Sequence, residues 1–285
     1  MVSLYEENEK TTFMIEISQD ITYDDLVNQL DLNENDVLLI SSDINKLAKY
    51  YKRKGGFDAV KFIASFQSKL SNGTLLIPAF TDYLKNGDTF DYYTSKPSTG
   101  ALSNRCSKLV GFKRTKDPLH SFYVWGKDSE ELVSMNSDST FGKNSAFGFL
   151  YQKNAKLLLI DVDFQNSLTF IHFIEESLKV NYRKPYLINI NCISKEIVFD
   201  KQTFFYTKKI GVETDLSHFE SNVKSSKVST VYKTASSELC LLEAQSLYNF
   251  TDEYLKGNGK LHSFSIKKFL RQLIKAILGY KQPID

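Results

Sequence analysis

The hydrophobic residues of this chain alternate between short continuous runs and longer stretches with helical spacing. Three continuous runs have the length of a buried strand, namely 37–40 (VLLI), 74–78 (TLLIP) and 156–162 (KLLLIDV). Between the first two, residues 57–70 place apolar side chains at roughly helical spacing, and Asn72-Gly73 ends that pattern. This alternation is typical of a parallel or mixed sheet with helical crossovers. The sequence therefore predicts a layered α/β fold with a central mixed sheet flanked by helices.

Further helices are predicted where a polar residue precedes an amphipathic stretch. One such helix covers 22–30, and Ser167 is the predicted N-cap of another over 168–179. A short helix is expected at 146–152, after a polar turn that contains glycine. The stretch 81–118 lacks clear periodicity, and long irregular segments inside a compact domain are more often functional than filler.

Beyond residue 184 the pattern becomes β-like and then helical. The predicted elements are two strands of a hairpin or meander, a polar loop-like stretch with some helical character and two amphipathic helices, at 186–193, 196–207, 213–229, 237–255 and 265–278. We therefore expect one domain over residues 1–285 that ends in a β-hairpin and a helical region. The change of pattern leaves a subdomain boundary near residue 184 as the alternative.

Composition and charge narrow the class of protein. Of the 285 residues, 42% are hydrophobic and 25% are charged, which is normal for a globular protein. The 36 basic and 34 acidic residues leave a net charge of +2, too balanced for a nucleic-acid binder driven by charge. The apolar runs are far shorter than a membrane span, and residues 1–10 lack the apolar core of a signal peptide. We expect a cytoplasmic protein whose partners include neither nucleic acid nor a membrane.

Cysteine and histidine are scarce. The three cysteines, Cys106, Cys192 and Cys240, are scattered and odd in number, which indicates reduced thiols rather than a disulfide framework. With only four histidines beside them, the chain has too few ligands for a closed zinc site, and no metal is expected. The motifs GxxxxGK[ST], GxGxxG, HExxH and GxSxG are all absent from the sequence.

The segment 169–176 (TFIHFIEE) carries the strongest candidate chemistry. Residues three or four positions apart share one face of a helix, so Thr169, His172 and Glu175 or Glu176 would align. Imidazole is a common general base, and a carboxylate beside it orients the ring and stabilises its protonated form. The adjacent helix N-terminus opposes protonation and keeps the ring competent as a base. An exposed His/Glu pair on a helix surface is the commoner outcome of such spacing.

Three other polar segments are candidates for ligand contact. Residues 114–121 (RTKDPLHS) suit an anion or a cofactor, although an ordinary charged loop is the commoner structure. Ser41 and Ser42 follow a buried strand and could offer hydroxyl and N–H groups to a ligand, but serines at strand ends are common. Residues 141–145 (FGKNS) precede a helix start, where a phosphate could bind.

Taken together and in order, these segments resemble one family. The similar stretches are VLLISSD, LLIPAFT, PSTGALS, RTKDPLHSFYVWG, FGKNS and TFIHFIE, at 37–43, 75–81, 97–103, 114–126, 141–145 and 169–175. Their order over about residues 37–184 resembles the aminoglycoside 3-N-acetyltransferase family, and within it members encoded with surface-polysaccharide genes. The C-terminal third resembles the family only loosely.

The resemblance implies acetyl-coenzyme A as cosubstrate and an amine on a sugar as acceptor. It assigns His172 as the general base and Glu175 as the residue that orients it. Ser41 and Ser42 fall where the family contacts the pantetheine arm of the cofactor. Further cofactor contacts are expected at the matching positions Thr81, Ser98, Arg114, Asp117, Ser121 and Ser145.

The expected reaction is direct acetyl transfer within a ternary complex, because no activated nucleophile for an acyl-enzyme is visible. Thr169 and the N–H groups around Phe80 and Thr81 are the candidate donors to the oxygen that gains negative charge. Tyr182 and Arg183 could shape the acceptor site, with Arg183 paired to a diphosphate if the sugar is nucleotide-linked.

The expected acceptor is an amino sugar, nucleotide-linked, that serves surface polysaccharide or glycan synthesis. Two alternatives stay open: an aminoglycoside antibiotic as acceptor, and a catalytically inactive relative that only binds the cofactor. The sequence leaves the oligomeric state open, a homodimer included.

Two residues depart from the family pattern. The family usually places glycine after the third strand, where this chain has Asp161. Either the backbone path differs there, or Asp161 adds a carboxylate to the site. Asp117 replaces the first histidine of the His-Pro pair of the drug-modifying enzymes, which weakens an antibiotic as the natural substrate.

Overall fold

The computed structural model describes residues 14–17, 22–52 and 55–278. Its strands are β1 Met14–Glu16, β2 Val37–Ser42, β3 Thr74–Pro78, β4 Thr89–Asp91, β5 Lys113–Arg114, β6 Phe122–Gly126, β7 Lys156–Ile160, β8 Arg183–Ser194, β9 Ile197–Lys208, β10 Val212–Thr214, β11 Ser229–Lys233, β12 Glu238–Glu243 and β13 His262–Phe264. Its helices are α1 Tyr23–Asn28, α2 Asn45–Lys52, α3 Ala59–Lys69, α4 Gly100–Cys106, α5 Ser129–Ser134, α6 Ala146–Gln152, α7 Phe164–Ser167, α8 Phe170–Ser177, α9 Ser217–Lys224, α10 Ala244–Lys256 and α11 Ile266–Ile277.

Eight strands form the central sheet in the order β1-β11-β12-β7-β2-β3-β6-β5. Strands β7, β2 and β3 run parallel in the middle, while β12 and β6 pair antiparallel with the outer two of them. The three parallel strands are the predicted apolar runs, and they are rich in Leu and Ile because both faces of the sheet are covered. This mixed sheet with helices on both faces confirms the predicted fold class.

The two faces of the sheet carry separate cores, because successive side chains of a strand point to opposite faces. On β2, Val37 and Leu39 belong to the core that also holds Phe170 and Phe173 of α8. Leu38 and Ile40 belong to the opposite core, built around α1 and α3. The site residues discussed below lie near the first core, in segments that leave the ends of the parallel strands.

Several helices begin where a side chain caps the free N–H groups of the first turn. Thr22 and Asp25 form a reciprocal capping box at α1, in agreement with the predicted helix start. Ser145 caps α6, whose predicted span is confirmed. Ser265 caps α11, the last predicted amphipathic helix.

The long hairpin predicted beyond residue 184 is present as β8 and β9, which pair antiparallel over their whole length. Strand β4 pairs parallel with β8 and completes a three-stranded sheet beside the central one. Strands β10 and β13 form a separate two-stranded sheet that precedes α11.

Two predicted elements need correction, and a third is more regular than predicted. Ser167 does not cap the helix that carries His172; it ends the one-turn helix α7, which Asp163 caps, and α8 begins only at Phe170. The segment 237–255 is a strand, β12, followed by helix α10, because 239–242 is a buried apolar run and β7 and β11 pair with the two edges of this strand. The polar stretch 213–229 contains the regular helix α9, whose buried Phe219 and Val223 anchor it.

In the part of the chain that the structure describes, no helix has the length and apolarity needed to cross a bilayer. The expectation about a signal peptide concerns residues 1–10, which lie outside the described residues.

Candidate active site

A cleft opens where the parallel strands β2 and β3 end and the chain beyond β7 folds over them. Ligands of open α/β sheets commonly bind at the carboxyl ends of the strands. The cleft has a volume of about 740 Å³, within the usual size of a small-molecule site. Its polar and charged lining residues include Ser41, Ser42, Asp82, Tyr83, Lys85, Ser98, Thr99, His120, Asn166, Ser167, Thr169 and His172.

The chain between β7 and α8 brings His172 to the wall of this cleft. Strand β7 ends at Ile160, the Asp163 side chain caps the single turn of α7, and Leu168 ends that turn. Helix α8 then starts at Phe170, so His172 lies in its first turn. Phe170, Ile171, Phe173 and Ile174 are buried in the core beneath the helix, and this leaves the third residue of α8 directed to the cleft.

His172 and Glu175 form a hydrogen-bonded pair. The distance from His172 Nδ1 to Glu175 Oε2 is 2.7 Å, with the His172 side chain 24% exposed and the Glu175 side chain 1% exposed. An ionised carboxylate only accepts hydrogen bonds, so Nδ1 carries the proton and Nε2 keeps the lone pair. The pair is therefore a buried carboxylate behind a partly exposed imidazole, and not the exposed surface pair that the spacing also allowed.

Two further residues hold the Glu175 carboxylate in place. The hydroxyl of Tyr182 donates to Glu175 Oε1 over 2.8 Å, and Arg183 Nε lies 2.7 Å from Oε2. Arg183 Nη1 in turn donates to the carbonyl of Tyr206 on β9. Both carboxylate oxygens thus have partners, which a buried charge requires.

The surroundings of Glu175 keep it ionised. Burial alone would raise the pKa of this carboxyl, but the hydrogen bond and charge of His172, the Arg183 guanidinium and the Tyr182 hydroxyl outweigh burial and lower it. A fixed negative charge at Nδ1 stabilises the imidazolium that forms when Nε2 accepts a proton. The arrangement suits general-base chemistry at a group bound in the cleft.

Four more predicted site residues line the same cleft: Ser41, Ser42, Ser98 and Thr169. The hydroxyls of Ser41, Ser42 and Thr169 make no hydrogen bond to another described residue; Thr169 precedes α8 without capping it. Ser98 contacts both the Phe80 carbonyl, at 3.1 Å, and Asp82 Oδ1, at 2.6 Å. Three of the four hydroxyls are thus available to a ligand, and the fourth positions Asp82.

Four other predicted contacts, Thr81, Arg114, Ser121 and Ser145, are not among the lining residues of the cleft. Thr81 is fully buried, its hydroxyl donates to the Pro118 carbonyl and its N–H donates to the Leu119 carbonyl. That N–H is therefore not available to a developing oxyanion, which leaves Thr169 and the N–H of Phe80 as candidates. Ser145 is the helix cap already described, and its hydroxyl also donates to the Gly142 carbonyl.

Arg114 and Ser121 brace the backbone beneath the cleft. Arg114 Nε donates to Ser121 Oγ, and its terminal nitrogens donate to the carbonyls of Ser95 and Ala79. Ser121 Oγ also donates to the Ala79 carbonyl, over 2.8 Å. These hydrogen bonds hold the loop after β3 in place. The predicted contact of Arg114 and Ser121 with the cofactor stays a prediction.

Asp117 is likewise structural. Its Oδ1 accepts from the N–H groups of Leu119 and His120, and its Oδ2 accepts from the Thr140 hydroxyl. The carboxylate thus closes the turn that carries His120 to the cleft.

Asp161 adopts a backbone conformation that glycine favours, and it is not among the residues that line the cleft. Its φ is +55°, in the left-handed region that glycine adopts without strain and that aspartate tolerates. Its Oδ1 accepts from the Glu238 N–H at 3.0 Å and lies 3.3 Å from Lys46 Nζ. The residue therefore has a backbone conformation typical of glycine, and its side chain links the end of β7 to the start of β12 by a hydrogen bond.

Tyr182 and Arg183, expected near the acceptor, are buried behind Glu175 instead. Because the Arg183 guanidinium contacts Glu175 and the Tyr206 carbonyl, it is not available to a diphosphate. The sequence did not predict that Tyr182 and Arg183 contact Glu175, because the turn between α8 and β8 brings them together.

His120 is a cleft residue that the sequence did not single out as a separate site. Its ring packs against Phe80 and Phe141, with centroids 4.8 and 4.9 Å away, and Phe141 also contacts His172 at 5.3 Å. Burial lowers the pKa of His120 to about 4, against a smaller opposite effect of Asp117. The ring is therefore neutral at physiological pH. The only feature of the sequence that pointed to His120 was its position in the polar segment 114–121.

The described residues contain no cluster of three or more His, Cys, Asp or Glu side chains that could hold a metal ion. The three cysteines are free and buried.

Comparison with solved structures identifies proteins of the same fold. The chain is similar to AAC-IIIb in a binary complex with CoASH, with a TM-score of 0.70 and 14% identity over 86% of this chain and 96% of that chain. For AAC-VIa bound to sisomicin the TM-score is 0.69 and the identity 12%, over 83% of this chain and 97% of that chain. For the YokD protein from Bacillus subtilis the TM-score is 0.65 and the identity 17%, over 82% of this chain and 96% of that chain. At these identities the similarity establishes the fold alone. No curated protein matches the chain.

The sequence itself matches a family model, described as aminoglycoside 3-N-acetyltransferase, over residues 39–256. The matched region is well over half of the chain and includes the cleft, the His172–Glu175 pair and the strands that complete the central sheet. The chain belongs to the aminoglycoside 3-N-acetyltransferase family and is an N-acetyltransferase.

Proposed function

We propose that this enzyme transfers the acetyl group of acetyl-CoA to an amino group of an aminoglycoside, with His172 as general base. The observation that carries the proposal is the buried, ionised Glu175 bonded to Nδ1 of an imidazole at the cleft wall. The family and the solved relatives, one with CoASH and others with aminoglycosides, support the choice of substrates.

The cleft offers a suitable donor set for the pantetheine arm of coenzyme A, which carries amide and hydroxyl groups. Ser41 and Ser42 line it at the end of β2 with hydroxyls that no other described residue uses. Ile40, Ile77 and Leu102 supply apolar wall beside them. These residues would hold the arm, and bound acetyl-CoA supplies an acyl carbon whose bond to sulfur breaks as the new bond to nitrogen forms.

His172 moves the proton of this reaction. An amine attacks only when its lone pair is free, and Nε2 accepts the proton that the acceptor nitrogen loses as its bond to carbon forms. The same proton is then available to the sulfur that leaves. Glu175 stabilises the charged ring between the two events. Thr169 Oγ1 and the Phe80 N–H are the proposed donors to the carbonyl oxygen.

A specific observation favours a second acceptor, an amino sugar with a single amine. Among the cleft-lining residues that the structure describes, Asp82 is the one carboxylate, and Lys85 lies on the same wall. An aminoglycoside carries several ammonium groups and would be bound better by several carboxylates. A nucleotide-linked amino sugar presents one ammonium group, which Asp82 alone could bind.

An acceptor panel tests the proposal. Purified enzyme and acetyl-CoA would be incubated with sisomicin, apramycin or UDP-linked amino sugars, with thiol release and product mass as readouts. We expect acetylated aminoglycoside to form faster than acetylated sugar nucleotide, and the reverse order would establish the second acceptor. Absence of transfer to every amine would contradict both, and would favour a relative that only binds the cofactor.

A further inference from the structure

Helix α11, at the C-terminal end of the described chain, presents an apolar stripe to solvent. Ile266, Leu270, Ile274 and Ile277 follow one another at spacings of four, four and three, and Leu273 lies three positions after Leu270, which places all five on one face. All five are exposed, Ile266 at 69% and Ile277 at 75%. A surface helix normally turns such a face to the core, but none of the residues that the structure describes covers this stripe. The helix also lies beyond residues 39–256, the region that matches the family.

The helix is fixed to the protein by its other side. Gln272 is buried and its Oε1 accepts from the Gly211 N–H at 2.8 Å, and the Phe269 ring packs 5.7 Å from Phe264. The Ser265 side chain caps the first turn. These contacts hold α11 in a defined orientation against β10 and β13, so the outward direction of the apolar stripe follows from the packing.

Positive charge lies beside the apolar stripe. The helix carries Lys267, Lys268, Arg271 and Lys275 and contains no acidic residue. At 100° per residue, Lys267, Arg271 and Lys275 fall on one arc that borders the apolar face. Lysine is depleted in protein–protein interfaces, whereas an apolar face bordered by Lys and Arg is the composition of helices that lie in a membrane surface.

We infer that α11 binds an anionic lipid bilayer, with its apolar stripe in the boundary between headgroups and acyl chains and its basic arc on the lipid phosphates. The short apolar runs that argue against a membrane partner exclude a spanning segment and do not exclude a helix lying in the surface. The inference is independent of the acceptor and of the catalytic roles proposed above.

Vesicle co-sedimentation of the full chain tests this. We expect the protein to pellet with vesicles of phosphatidylcholine and phosphatidylglycerol, much less with phosphatidylcholine alone, and less as salt rises. The double variant Leu270→Glu/Ile274→Glu should lower the partition coefficient at least about ten-fold, because both side chains are exposed and lose their apolar contact with lipid. Arg271→Glu/Lys275→Glu should lower it by roughly the same factor.

Val198→Glu is the control, since Val198 is also an exposed apolar residue and belongs to β9, near the turn of the β8–β9 hairpin, and not to α11. It should leave sedimentation unchanged, and circular dichroism should show all variants folded. Failure of the wild type to pellet with anionic vesicles would overturn the inference. So would a wild-type dimer that does not bind vesicles and that Leu270→Glu/Ile274→Glu converts to monomer, because the face would then belong to a second copy.

Discussion

At the scale of single residues, the account depends on a polar chain of contacts that starts at the cleft and ends inside the protein. His172 is hydrogen-bonded to Glu175, and Glu175 accepts a hydrogen bond from Tyr182 and forms an ion pair with Arg183. Residue spacing predicted the first contact, because positions i and i+3 of a helix are neighbours. It could not predict the others, because Tyr182 and Arg183 return to Glu175 only through the turn after α8.

Glu175→Gln tests whether the charge of this residue, rather than its shape, supports catalysis. The amide keeps the side-chain volume but cannot stabilise an imidazolium, so kcat should fall by about 10²-fold or more while KM for acetyl-CoA changes little. Steady-state thiol-release kinetics measure both constants.

Glu176→Gln is the control for that substitution. Glu176 is the next residue of α8, and its carboxylate accepts from the Ser139 hydroxyl, whereas Glu175 bonds to His172 Nδ1. Its kcat should stay near the wild-type value. Equal losses in the two variants would indicate a disturbed helix instead of a lost charge.

Because His120 is buried, we predict that the free energy of unfolding decreases in mildly acid solution. Its pKa is about 4 in the folded protein against an ordinary 6.5, because burial disfavours the charged ring. The unfolded chain therefore binds a proton more readily, and the stability conferred by the neutral ring is complete above pH 6.5 and lost as the pH falls toward about 4.

His120→Phe should flatten the pH dependence of stability within this window. A phenyl ring fits among Phe80, Phe141 and Phe147 and does not titrate. Urea unfolding of both proteins at pH 7 and at mildly acid pH measures the difference. Parallel loss of stability in the wild type and the variant would show that other groups cause the acid sensitivity.

At the scale of elements, the hydrophobic pattern predicted the buried strands and the helices with clear caps. The pattern gave wrong boundaries where two elements follow each other without a loop between them. Residues 237–255 look helical as a whole because the four buried apolar residues 239–242 run directly into α10 without a turn. Ser167 looked like a helix cap because the short helix α7 hides the true start of α8.

The end of β7 shows the same limit at one position. The alternatives for Asp161 could be decided only from its φ of +55° and its contact with β12. Asp161→Val should cost about 2 kcal/mol or more, because a branched side chain is strained there and the partly buried Glu238 N–H loses its acceptor.

Asp161→Asn is the matched control and should cost less than about 1 kcal/mol, since asparagine tolerates this conformation and keeps an oxygen for Glu238 N–H. Chemical denaturation measures both changes. A similar cost for Val and Asn would contradict the role of backbone conformation at this position.

At the scale of the whole molecule, residues far apart in sequence complete a single sheet. Strands β11 and β12 follow the change of pattern near residue 184, yet they lie between β1 and β7. One core combines Val37 and Leu39 with Cys240 and Leu247 from the C-terminal third. The hydrophobic pattern suggested a possible boundary at residue 184. It could not predict that β11 and β12 join the central sheet, because that depends on pairing between strands far apart in sequence.

We therefore predict that the protein unfolds as one unit. Urea denaturation followed by far-ultraviolet circular dichroism and by Trp125 fluorescence should give coincident single transitions. A fragment that ends at residue 184 should not fold, because it leaves β7 without β12. Two separated transitions, or a folded fragment, would instead support a subdomain boundary.

The most direct test of the central claim compares the wild type with His172→Ala, using the acceptor that the panel identifies. The account predicts that kcat falls by roughly 10² to 10⁴ while the binding of coenzyme A, measured by calorimetry, stays within a few-fold. A variant that binds coenzyme A normally and acetylates the acceptor at the wild-type rate would show that His172 is not the base.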